Sequence, residues 1–103
     1  METIQLNGIS HKIRFNFNAL KEFKKVNGGT GLSFDDLDVS TILDLTYAGL
    51  KEARRIECKG DGIPQDFSLT VEDIGEHMTV DTMNDVIAIL TDSLSGGKKE
   101  EKK

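Results

Sequence analysis

Cysteine and proline are nearly absent from this chain, with one of each in 103 residues. The single cysteine, Cys58, excludes an internal disulfide and a multi-cysteine zinc site. Neither histidine lies near it in sequence and no activating motif surrounds it, so it reads as a small residue near a helix end. No apolar run approaches the ~20 residues that a membrane helix needs, and no signal-peptide pattern opens the chain. Cytoplasmic residence is the expectation. Positive charge is scarce outside the last six residues, KKEEKK, which carry a net +2 of a total of −5. The rest of the chain is therefore strongly acidic. That balance argues against nucleic-acid binding, which needs clustered Lys and Arg to neutralise phosphates.

What is present suits one small domain with a modest core. Residues 2–17 read as a β-hairpin. Asn7-Gly8 is a favoured two-residue type I′ turn, because both positions need positive φ. The turn sets Leu6 opposite Ile9, Ile4 opposite His11 and Glu2 opposite Ile13. One face then holds Ile4, Leu6, Ile9, Ile13, Phe15 and Phe17. Strand one runs out before the two phenylalanines, which should plug against the central helix around Gly49. His11 falls beside Ile4 and lacks a partner at metal-ligand or catalytic spacing.

Four helices follow at about 19–27, 41–57, 71–78 and 82–95. In the first, Asn18 can cap, Ala19, Leu20, Phe23 and Val26 form a narrow apolar face, and Gly28-Gly29 stops the helix. Its lysines read as a solvated face. The second, capped by Ser40, is apolar over more than half its circumference, which places it at the centre of the fold. Gly49 in its interior costs roughly 1 kcal/mol against alanine, so a close approach by another backbone is expected there. Glu52, Arg54, Arg55 and Glu57 read as exposed charges. Thr70 and Asp73 resemble a capping box opening the third helix. The last helix turns Met83, Val86, Ile87, Leu90 and Leu94 toward the core and leaves Ile89 off that stripe. The expected fold is thus α+β, a hairpin packed on a helical bundle over residues 1–95, with residues 96–103 as a flexible charged tail.

Three stretches invite a chemical reading and fail it. Gly28–Leu32 lacks the Lys-Ser/Thr pair of a phosphate loop and follows a helix rather than a strand. Around Asp61-Gly62, the calcium-loop register puts lysine and serine where carboxylates are required. Asp92-Ser93-Leu94 matches a carrier-protein tripeptide, but its serine closes a helix instead of opening one. No catalytic residue, cofactor or metal site is expected.

Taken in order, Ile4–Gly8, Phe15–Glu22 (FNFNALKE) and Asn27-Gly28 resemble the start of the tail assembly chaperones of long-tailed phages and related prophages. Leu45–Leu50 (LTYAGL) resembles that family's central helix, interior glycine included, and Leu69–Gly75 (LTVEDIG) the segment before its final helices. The resemblance implies a non-catalytic role: binding the long, aggregation-prone tape measure protein and keeping it soluble while tail tube subunits assemble around it. It also implies a longer form made by ribosomal frameshifting, through which the tail tube protein could be reached, with this chain as the shorter product. Phe34, Ile63, Phe67 and Ile89 are left over once the core is assigned and are the candidate contact residues. The competing expectation is a small acidic adaptor or regulator of another kind.

Overall fold

The computed structural model describes residues 2–26, 38–61 and 67–94. Strands β1 (Glu2–Leu6) and β2 (Ile9–Ile13) pair antiparallel as a two-stranded sheet. Leu6 faces Ile9, Ile4 faces His11 and Glu2 faces Ile13, as the turn requires. Asn7 and Gly8 take φ of 55° and 76°, the left-handed pair of a type I′ turn. Ile4, Leu6 and Ile13 are buried. Ile9, expected on the same covered face, is 58% exposed. Helix α4 (Val80–Leu94) packs along β1 and helix α2 (Val39–Asp61) on β2, where Ile13 and Phe15 meet Gly49. Both helices leave the turn-proximal Ile9 outside.

Beyond Ile13 the chain turns from strand to helix two residues earlier than the Asn18 cap implies. Ala19 N–H donates to Asn16 Oδ1 at 2.9 Å, and Leu20 N–H donates to the Asn16 carbonyl at 3.0 Å. Asn16 is therefore the cap, and helix α1 spans Phe17–Val26. The shift separates the two phenylalanines. Phe15 is buried against α2, whereas Phe17 becomes the first helical residue and is 86% exposed. The expectation that both would plug the core fails for Phe17, because a helical turn replaces the strand alternation that would have pointed it inward. Ala19 and Phe23 are buried, with Leu20 and Val26 half-buried beside them.

Helix α2 is the centre of the fold and contacts α1, β2, helix α3 (Val71–His77) and α4. It is longer at both ends than its apolar pattern suggested. Asp38 caps it, accepting from Thr41 N–H at 2.8 Å, and it runs past the buried Cys58 to Asp61. Its interior glycine was expected to admit another backbone, and the groups that crowd it are side chains from the end of the hairpin. A Cβ on Gly49 would stand 2.6 Å from Ile13 Cγ1 and 2.8 Å from Phe15 Cε1. The Arg14 N–H also donates to the Gly49 carbonyl at 3.1 Å, which binds the end of the hairpin to the helix.

Helix α3 opens with the reciprocal capping box. Asp73 N–H donates to Thr70 Oγ1 and Thr70 N–H to Asp73 Oδ2, both at 3.1 Å. Ile74 anchors it in the core. Thr79 caps α4 by accepting from Thr82 N–H at 3.1 Å, again ahead of the expected start. Val86 and Leu90 of α4 are fully buried. Thr82, also buried, donates its hydroxyl to the Gln5 carbonyl at 2.8 Å and so fastens α4 to β1. The architecture is α+β, a hairpin followed by four helices. The tail expected over residues 96–103 lies outside the described residues.

Candidate protein-binding surface

Of the four contact residues expected from sequence, Phe34 and Ile63 lie outside the described residues. Phe67 is half-buried and meets Tyr47 edge-on, with ring centroids 5.5 Å apart and planes at 73°. That geometry is a favourable aromatic pair and ties Phe67 into the edge of the core. Ile89 is also half-buried, in a shallow cleft of about 450 Å³ shared with Glu2, Ile13, Arg14, Phe15 and Ser93. Phe67 lines a different cleft, with Ser10, His11 and Leu50. These two residues do not form one patch.

Among the described residues, the most exposed large apolar side chains are ones the sequence pattern had assigned elsewhere or passed over. They are Phe17, Val80, Ile9 and Val39. Val80 lies two residues before Thr82, which bonds the Gln5 carbonyl, and Ile9 is one residue from Ser10, the partner of Gln5. Both therefore sit at the turn end of the hairpin. Phe17 stands apart, at the start of α1. Projected at about 100° per residue, it points away from Ala19 and Phe23, the residues that α1 buries. The signal that could have found it is the choice of cap: with Asn16 capping, Phe17 must fall on the outer face.

Polar groups between α1 and α2 are closely paired. Glu52 was expected to be exposed, yet it is buried. Its carboxylate accepts from Arg55 Nε and Nη2, both at 2.7 Å, from Asn16 Nδ2 at 2.8 Å, and at longer range from Asn18. The Arg55 hydrogen bonds, supported by Asn16, hold the Glu52 carboxyl below its ordinary pKa against the opposing effect of burial. Burial is feasible because the planar guanidinium fork satisfies both carboxylate oxygens. Lys51 bonds Glu22 at 3.1 Å, which raises the lysine pKa. Lys12 pairs with Glu57 at 2.7 Å. Asp44 is shifted upward, by desolvation first and then by the Asp38 charge.

The outer face of α1 is different. Lys21 and Lys24 are exposed and make no ion pair among the described residues, and Lys25 reaches Glu22 only at 3.8 Å. This face of α1 thus presents an exposed phenylalanine followed by two lysines, Lys21 and Lys24, without an ion pair among the described residues. Cys58 is buried within α2. Among the described residues no group of three His, Cys, Asp or Glu side chains could hold a metal ion, and no helix is long and apolar enough to cross a membrane. No family model, curated protein or solved structure matches the chain.

Proposed function

We propose that this protein is a tail assembly chaperone that binds the tape measure protein in the host cytoplasm and keeps it soluble while the tail tube assembles. The observation that carries the reading is Phe17. It belongs to the FNFNAL block on which the resemblance rests, and it is 86% exposed at the head of a surface helix. Aromatic residues are enriched at protein interfaces, so a ring exposed on a helix that has its own buried face supports a contact role. The paired position Phe15 and the interior Gly49 of the LTYAGL block account for the scaffold beneath it. An acidic chain of net charge −5 supplies the solubility that such a complex needs.

Co-expression with the tape measure protein tests this directly. The tape measure protein should move from the pellet to the soluble fraction when this chain is present, and less so with Phe17→Ser. If its solubility is the same with and without the chain, the reading is wrong, and an adaptor for another partner takes its place. The longer product has a separate test in the coding DNA, where a slippery heptamer before an open −1 frame is expected around codons 95–103.

A further inference from the structure

Helix α1 is a basic element in an acidic protein. It carries Lys21, Lys24 and Lys25 against Glu22 alone, a net +2, while the whole chain is −5. The contrast with the other end of the chain is sharper. Residues 67–94 hold Glu72, Asp73, Glu76, Asp81, Asp85 and Asp92 with no lysine or arginine. The positive charges of α2 that face α1 are already engaged, Lys51 by Glu22 and Arg55 by Glu52. Lys21 and Lys24 are not so engaged among the described residues.

These lysines share a face with the exposed ring. At about 100° per residue, Phe17, Lys21 and Lys24 lie within about 60° of one another, opposite the buried Ala19 and Phe23. From Phe17 to Lys24 the stripe is about 10 Å long, two turns of helix. Lys25 borders it, 69% exposed. The order along the stripe is one apolar anchor and then cations at helical spacing.

We infer that this stripe is the docking surface for an acidic amphipathic segment of the partner protein. Phe17 takes an apolar side chain of that segment, and Lys21, Lys24 and Lys25 meet its carboxylates. The charge pattern selects the occupant. An apolar partner surface would desolvate Lys21 and Lys24 without pairing them, and a basic one would meet them with like charge. A segment with carboxylates at helical spacing from an apolar residue satisfies both parts of the stripe. The inference rests on the protein-binding role proposed above, but not on which protein is bound.

The test uses a labelled synthetic helical peptide with one leucine and glutamates spaced along the same face, and a control peptide with lysines in place of the glutamates. Fluorescence anisotropy with the full chain should show binding of the acidic peptide, weaker at higher salt, and none of the basic one. Lys21→Glu/Lys24→Glu and, separately, Phe17→Ser should each weaken it by about tenfold or more. Ile9→Ser, at the hairpin turn, should leave it unchanged. All the substituted side chains are exposed, and circular dichroism checks that each variant folds.

Equal binding of the two peptides, retention in the α1 variants, or no binding of the acidic peptide overturns the inference. A concentration-dependent dimer in sedimentation velocity that the α1 substitutions abolish would assign the stripe to a second copy and also overturn it. The co-expression assay is independent. Peptide binding without any effect on the tape measure protein removes the chaperone reading and leaves the docking surface standing.

Discussion

Gly49 and Glu52 lie one turn apart on α2 and show the two ways in which a residue of this chain was or was not legible. A glycine in a helix interior costs roughly 1 kcal/mol, so its presence announced a close approach, and Ile13 and Phe15 supply it. Gly49→Ala should therefore destabilise despite its better helix propensity. Overpacking costs about 1–3 kcal/mol, and the gain in propensity offsets about 1 of it. Urea denaturation should show a net loss of up to about 2 kcal/mol; a raised midpoint would mean that the hairpin end can move aside. The burial of Glu52 was not legible: its Arg55 partner is three residues away, but the asparagines that complete its hydrogen bonding from α1 are 36 and 34 residues away in sequence. Its folded pKa is depressed from 4.5, so its contribution is fully present above that value and is lost as pH falls through the lower folded one. Glu52→Gln keeps the shape but loses the charged fork. It should cost about 1 kcal/mol near neutral pH and nothing at acid pH, where the wild-type carboxyl is protonated. Denaturation midpoints of the two proteins should converge below pH 4.5. A constant gap across that range would remove the charge from the explanation.

At the scale of elements, local chemistry fixed what only local chemistry can fix. Asn7-Gly8 set the hairpin register, and Thr70 with Asp73 set the start of α3. Helices α1 and α2 each start at a capping side chain two residues before the expected one: Asn16 rather than Asn18, and Asp38 rather than Ser40. Either residue of a pair can accept from the first turn, so the choice depends on tertiary position. For α1 that position is set by Phe15 and Arg14, which hold the preceding backbone on Gly49. The same choice decides the candidate surface, since it turns Phe17 outward. Phe67 was harder still, because it lies outside any helix or strand and pairs with Tyr47, 20 residues earlier in the chain. The Thr70 cap carries a prediction of its own. Helix α3 has only seven residues, so it depends on its cap and on Ile74 more than a long helix would. Thr70→Ala should cost about 1 kcal/mol and speed amide exchange across Val71–His77 more than elsewhere. Uniform acceleration in all helices would show instead that α3 opens only with the whole domain.

Among the described residues there is one core, to which every element contributes: Ile4, Leu6 and Ile13 from the hairpin, Ala19 and Phe23 from α1, Ile42, Leu45, Ala48 and Leu50 from α2, Ile74 from α3, and Val86 and Leu90 from α4. A two-stranded hairpin is marginal in water, so the strands persist only because α2 and α4 cover them. No element can therefore leave the fold without exposing the others, and unfolding should be a single cooperative event. Leu90→Ala tests this. Its side chain is fully buried, and the truncation should cost about 2–5 kcal/mol, a large part of the 5–15 kcal/mol typical of a domain. The chain has one tyrosine and no tryptophan, so Tyr47 is a local reporter on α2, paired with Phe67. Far-ultraviolet circular dichroism reports on all the helices at once. In Leu90→Ala the two signals should move to lower denaturant together, although the substitution is in α4 and the reporter in α2. If Tyr47 kept its original midpoint while helicity fell early, α4 would be melting from a self-sufficient remainder, and the single shared core would be the wrong description.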